Sequence, residues 1–124
     1  MVTKLLDSVI VIDHLNRIEP ATKYLLQLDP YQTAISVITR AEVLTGLDEN
    51  DLASVSAMLD QYQILIIDRS IADDAAFLRR KHGWKLPDVF QTALAQHHQI
   101  SLVTRNTKVF NPEIHDFVEI PYSI

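Results

Sequence analysis

Short apolar runs alternate with segments of helical periodicity along the whole chain. The runs cover residues 5–6, 32–36, 64–67 and 100–103, and residues 117–120 form a candidate edge strand. Strands that alternate with helices usually form a parallel sheet covered by helices on both faces. The sequence therefore predicts an α/β fold, a three-layer α/β/α arrangement around a central parallel sheet of four to five strands. The continuous run at residues 64–67 is interpreted as a buried strand.

The segments between the runs carry helix start and stop signals. We predict helices over residues 21–28, from the cap Ser36 to Gly46, from Asn50 onward, from the cap Ser70 to about residue 81, and over residues 87–97. Ser8 is a candidate cap for a further helical turn after the first strand. The helix from Asn50 carries its apolar stripe at three positions, namely Leu52, Val55 and Leu59.

Composition narrows the class of protein. The 124 residues are 48% hydrophobic, so we expect a single domain over residues 1–124 with a real core. The absence of cysteine excludes disulfides, thiolate catalysis and the usual zinc clusters. No apolar segment approaches a membrane span and no secretory signal is present, so a cytoplasmic location is expected. The net charge of −5 argues against a general nucleic-acid binder but suits an acidic cation site.

Polar side chains fall where the predicted strands end. Asp7 follows the first run, Glu42 lies in the helix after the second, Asp88 opens the helix before the fourth, and Thr104 and Asn106 follow the fourth. Ligands of parallel sheets bind in the crevice beyond the carboxyl ends of the strands. Carboxylates gathered there, without a phosphate-binding glycine loop, indicate a site for a hard cation.

Each of these residues also has an ordinary structural explanation. Asp7 can cap a helix, Glu42 can lie on a solvated helix face, and Asp88 can complement the helix dipole. Thr104 and Asn106 can satisfy a turn. Asp13, six residues after Asp7, is either a peripheral member of the cluster or a surface charge, and the surface charge is favoured.

Four segments of the chain resemble those of PIN-domain ribonucleases, in particular the VapC toxins of toxin–antitoxin pairs. Residues 5–13 resemble the family pattern Leu-Leu-Asp-Thr-Asn-Val-Leu-Ile-Asp, which places Asp7 at its first acid. Residues 36–43 match Ser-Val-Ile-Thr-x-Ala-Glu-Val, which places Glu42. Asp88 matches the acid of Asp-x-x-Ile-Ala-Ala-Thr-Ala, and residues 102–110 resemble Leu-Val-Thr-Arg-Asn-Thr-Lys-Asp-Phe. The chain departs from these patterns at Val9, where the family has Asn, and at Val109, where it has Asp.

The resemblance implies metal-dependent hydrolysis of RNA. Asp7, Glu42 and Asp88 would hold Mg²⁺ or Mn²⁺, and Thr104 and Asn106 would orient water or the scissile phosphate. It further implies a homodimer and a cognate antitoxin of the VapB type as a partner. Phosphate contacts are expected near the only basic run, residues 79–82, with Lys85 beside it.

Rival interpretations remain open at this point. A PIN domain weakened at Val9 and Val109 would bind RNA or a protein without cleaving it. A receiver domain has a similar length, with Asp68 as the phospho-acceptor and Thr104 as the hydroxyl, but this chain lacks the paired acids and the Lys-Pro of receivers. A hydrolase of the haloacid type is weaker still, because residue 9 is not an aspartate.

Overall fold

A five-stranded parallel sheet lies at the centre of the molecule. The computed structural model describes every residue from Met1 to Ile124. In chain order the strands are β1 (Lys4–Leu6), β2 (Thr33–Ser36), β3 (Gln63–Leu65), β4 (Ser101–Val103) and β5 (Val118–Glu119). They adjoin in the order β3-β2-β1-β4-β5, and every neighbouring pair is parallel. The predicted fold class is confirmed.

Six α-helices connect the strands and cover the sheet. They are α1 (Ser8–Leu15), α2 (Glu19–Gln27), α3 (Val37–Thr45), α4 (Leu52–Leu59), α5 (Arg69–His82) and α6 (Leu86–His98). Two short 3₁₀ turns occupy Pro30–Gln32 and Glu49–Asp51. None of these helices is long and apolar enough to cross a lipid bilayer.

Two apolar clusters pack on the opposite faces of the sheet. Successive residues of a strand point to opposite faces, so Leu5 joins one cluster and Leu6 the other. The first cluster contains buried residues of α5 and α6 together with Phe110, and the second contains buried residues of α1 to α4. This division of the core produces the three layers.

Capping side chains fix where the helices begin and end. Ser36 accepts a hydrogen bond from the backbone N–H of Thr39 at 3.0 Å, so α3 begins where the sequence predicts, and Gly46 ends it. Two other predicted caps were displaced by one or two residues: Asp7 rather than Ser8 caps α1, and Asp68 rather than Ser70 caps α5. An aspartate in the extended conformation just before the helix competes successfully with a neighbouring serine for this position.

Two further predictions were wrong in detail. The run at residues 64–67 is not a buried strand, because β3 lies at the edge of the sheet with β2 as its only neighbour. Ile64 and Ile66 are 47% and 70% exposed. The helix expected from Asn50 begins with a 3₁₀ turn, so α4 starts at Leu52, which is also exposed, whereas Val55 and Leu59 are buried.

Candidate active site

The polar residues predicted at the strand ends meet at one edge of the sheet. Asp7 follows β1 directly, and Asp88 lies in the first turn of α6. A cleft of about 350 Å³ opens there. Its walls contain three carboxylates, two cations and several small polar groups: Asp7, Ser8, Val9, Glu42, Pro87, Asp88, Arg105, Asn106, Thr107 and Lys108. Four of the five predicted site residues therefore line it, and Thr104 is fully buried in contact with Asp7.

The Asp7 carboxylate is held by donors on both of its oxygens. Its Oδ1 accepts from the backbone N–H of Ser8 at 2.9 Å and from Nε2 of Gln91 at 3.3 Å, and its Oδ2 accepts from Oγ1 of Thr104 at 2.8 Å. Asp7 is 7% exposed. It is therefore both the cap of α1 and a wall of the cleft, so the two interpretations of this residue do not exclude each other.

A buried polar network continues beneath Asp7. Gln91 Nε2 also donates to Oγ1 of Thr39 at 2.8 Å, and the backbone N–H of Asn106 donates to Oγ1 of Thr104 at 3.1 Å. Gln91 Oε1 is buried without a hydrogen-bond partner, a situation that costs about 1–3 kcal/mol. Gln91 was not predicted as a site residue, although it stands where the family pattern has isoleucine.

The carboxylate of Asp88 is destabilised by burial and by its acidic neighbours in the cleft. Burial raises the pKa of Asp88 above its ordinary value, and the negative charges of Asp7 and Glu42 raise it further, whereas Lys85 acts in the opposite direction. Glu42 is exposed, as its alternative interpretation required, yet its carboxylate borders the same cleft. Asp88 is thus close enough to Asp7 and Glu42 to be repelled by both, and a cation between them would relieve that repulsion.

The basic side chains that line the cleft differ from those predicted. Arg105 and Lys108 line it, whereas no residue of the basic run at 79–82 does. Arg79 donates to the backbone carbonyl of Trp84, and Lys81 borders a separate cavity of about 580 Å³. Only Lys85 of the predicted basic cluster acts on the site, through the pKa of Asp88.

The buried carboxylate of Asp13 holds the side chain of Arg105 in place. The Nε and Nη2 of Arg105 donate to the two oxygens of Asp13 at 2.5 and 2.8 Å, and the hydroxyl of Tyr122 donates to Asp13 Oδ2 at 2.9 Å. Asp13 is 4% exposed, so its interpretation as a surface charge was wrong. The hydrogen bonds and charge of Arg105 hold the pKa of Asp13 below its ordinary value. The partner that explains burial of Asp13, Arg105, is 92 residues away in sequence, so no local pattern could identify the pair.

The donor chemistry of the cleft suits a hard divalent cation. Carboxylate oxygens are the ligands that Mg²⁺ and Mn²⁺ prefer. No three acidic or histidine side chains converge closely enough in the structure to surround an ion by themselves. A cation here would therefore take part of its shell from water, which is how Mg²⁺ is commonly bound beside one or two carboxylates.

Comparison with known proteins identifies the family. The family model described as "PIN domain" matches residues 4–112. The chain belongs to the PIN-domain family. Among solved structures, a chain of a toxin–antitoxin complex from Klebsiella pneumoniae is 36% identical, with a TM-score of 0.86 over 98% of this chain and 100% of that one. The resemblance to VapC-like PIN domains is thereby confirmed. None of the curated proteins matches the chain.

More distant structures agree on the fold alone. FitAcB from Neisseria gonorrhoeae is 23% identical, with a TM-score of 0.80 over 98% of this chain and 100% of that one. DNA-bound VapBC from Salmonella typhimurium is 21% identical, with a TM-score of 0.75 over 89% of this chain and 91% of that one. Both have the PIN topology described above.

Membership of the PIN family removes two rival interpretations. The receiver interpretation placed Asp68 in an acidic pocket, but Asp68 caps α5 by accepting from the backbone N–H of Ile71 at 3.0 Å, and it is absent from the cleft wall. Thr104, its proposed partner hydroxyl, donates to Asp7 instead. The haloacid-type interpretation falls with it, because the family match covers the segment that contains Asp7.

The two departures from the PIN pattern have different consequences. Val9 lines the cleft as its apolar member, so the amide that the family carries there is missing from the wall. Val109 is half-buried, packs against the core cluster of α5 and α6, and does not border the cleft. With valine at position 109, the cleft of this protein has three carboxylates, those of Asp7, Glu42 and Asp88.

Proposed function

We propose that this PIN protein is a metal-dependent endoribonuclease and the toxin of a VapBC-type toxin–antitoxin pair. One observation supports the chemistry above all: three carboxylates and two basic side chains line a single cleft. Family membership supports a nuclease, since PIN domains are generally nucleases. A phosphodiester is the anion that such a cleft suits, because it is attracted both to a bound metal ion and to basic side chains.

Each side chain has a role that follows from its position. Asp7, Glu42 and Asp88 would hold Mg²⁺ or Mn²⁺, which when bound supplies an activated water and stabilises negative charge on the phosphate. Arg105 and Lys108 face the same space and would bind the phosphate oxygens. Thr104 orients Asp7, and the Asn106 side chain at the wall is placed to orient water or the scissile phosphate.

Cleavage of a labelled RNA pool tests this proposal. We expect wild-type protein to cut RNA with Mn²⁺ or Mg²⁺, to stop after chelation, and to resume when metal is restored. Glu42→Gln should lower the rate by about tenfold or more, because it removes one cleft charge from an exposed side chain without disturbing any hydrogen bond. Glu49→Gln is the matched control, an exposed glutamate outside the cleft, and should cut like wild type. Equal rates for both variants would place the chemistry elsewhere.

An antitoxin partner is the second part of the proposal. The support is the 36% identical chain from Klebsiella pneumoniae, whose solved structure is a toxin–antitoxin complex. Expression of the wild-type chain in a bacterial host should arrest growth, and co-expression of its cognate antitoxin should restore growth. Glu42→Gln should not arrest growth. The proposed homodimer is checked by light scattering of the purified chain.

A binding-only PIN domain is the alternative with specific support. The three carboxylates do not converge by themselves around an ion, and Val9 replaces a family amide in the cleft wall. In that case a folded wild-type protein would bind RNA without cutting it, even with excess Mn²⁺. Retention of labelled RNA on the protein, measured beside the cleavage assay, separates the two functions.

A further inference from the structure

Helix α6 carries, besides Asp88, a buried residue that contacts another acid of the site. Gln91 lies three residues after Asp88, a spacing that places both side chains on the same side of a helix. Its side chain is 1% exposed and lies behind the cleft wall, where Nε2 contacts both Asp7 Oδ1 and Thr39 Oγ1. Gln91 therefore links the helix that presents one site acid to the strand end that presents another.

Only the nitrogen of the Gln91 side-chain amide has hydrogen-bond partners. Its donor atom is used twice, whereas its acceptor Oε1 is buried and has no partner. An apolar side chain of the same size would avoid that unsatisfied acceptor, so the amide is a poor choice for folding alone. What the amide does provide is an N–H directed at the Asp7 carboxylate, which an apolar residue cannot supply.

We propose that Gln91 is a positioning residue for the Asp7 carboxylate, an inference that rests on the proposed metal-dependent function. The terminal torsion of an aspartate is soft, so donors are needed to fix the plane of its carboxylate. Gln91 acts on Oδ1 and Thr104 on Oδ2, which holds that plane from both sides. The lone pairs that remain on Asp7 then face the cleft in a fixed direction, ready for a cation.

Replacing Gln91 by methionine tests this inference with Mn²⁺ as the probe. Gln91→Met keeps length and volume and removes the donor together with the unsatisfied acceptor. We expect the Kd for Mn²⁺ to rise about tenfold, in the range found for outer partners of metal ligands. We expect the melting temperature without metal to stay at or above that of wild type. The electron paramagnetic resonance spectrum of bound Mn²⁺ should also change, because one ligand has lost its orientation.

Further variants keep the inference falsifiable. Gln91→Asn retains an amide that is one methylene too short to reach Asp7, so it should weaken Mn²⁺ binding even if Gln91→Met folds poorly. A lower melting temperature with an unchanged Kd and spectrum in both variants would show that Gln91 is merely structural. Absence of Mn²⁺ binding by wild-type protein would overturn the proposed function and this inference together. Binding by wild type and equal binding by both variants would overturn this inference alone.

Discussion

Asp88→Asn is expected to reduce metal-dependent RNA cleavage about 100-fold or more while leaving the metal-free fold at least as stable as wild type. The two effects have one cause. Burial and the charges of Asp7 and Glu42 raise the pKa of Asp88, so its ionised form opposes folding at neutral pH. That cost declines as the pH falls below the raised pKa and is gone below the ordinary value of an aspartate. Asparagine removes the repulsion, but it also removes the charge that attracts a cation.

Thermal unfolding with and without Mn²⁺, measured beside the cleavage assay, checks this prediction. Mn²⁺ should raise the melting temperature of wild-type protein, because a ligand that binds only the folded state stabilises it. The increase should be lost in Asp88→Asn. The matched control is Asp73→Asn, which makes the same charge change at an exposed position of α5 outside the cleft. A lower melting temperature of Asp88→Asn without metal, with normal cleavage, would mean that Asp88 serves the fold instead.

The fold was accessible from sequence because its signals are local. Ser36 and Gly46 mark the two ends of α3, and the structure places both ends as predicted. The alternation of strands and helices fixed the parallel sheet, and the sheet in turn gathers residues that follow different strands at one edge. Asp7, Glu42 and Asp88 therefore meet in one cleft although 81 residues separate the first from the last.

The features that were not predicted from the sequence depend on tertiary contacts. The apolar run at residues 64–67 has the composition of a buried strand, but its position at the sheet edge is decided by strand order, which composition does not encode. Gln91 lies on the buried face of α6, where periodicity predicts an apolar residue, and only its contact with Asp7 explains an amide there. A polar residue at a core position is the signal that could have identified it.

Asp13 illustrates the same limit with a larger energetic consequence. Asp13→Ala is expected to lower the free energy of unfolding by about 2–3 kcal/mol, because Arg105 loses both hydrogen bonds and the Tyr122 hydroxyl loses its acceptor. The side chain of Arg105 is 32% exposed, so it can turn toward water, which keeps the loss below that of a fully buried unpaired charge. Arg105 would then leave its place in the cleft wall, and the KM for RNA should rise.

Chemical denaturation at neutral pH measures the stability change, with Asp60→Ala as the matched control. Asp60 forms an ion pair with Arg40 at 2.8 Å but is 65% exposed, so its removal should cost below about 1 kcal/mol.

The stability of Asp13→Asn should fall between those of wild type and Asp13→Ala, because asparagine keeps an acceptor but loses the charge. The pKa of Asp13 is lowered in the folded state, so its charge stabilises the fold at neutral pH and that contribution disappears as the pH falls through the lowered value. The gap between wild type and Asp13→Asn should therefore narrow in acid. Equal losses for Asp13→Ala and Asp60→Ala, or a gap independent of pH, would show that the Asp13–Arg105 pair behaves like an ordinary surface contact and does not hold Arg105 in the cleft.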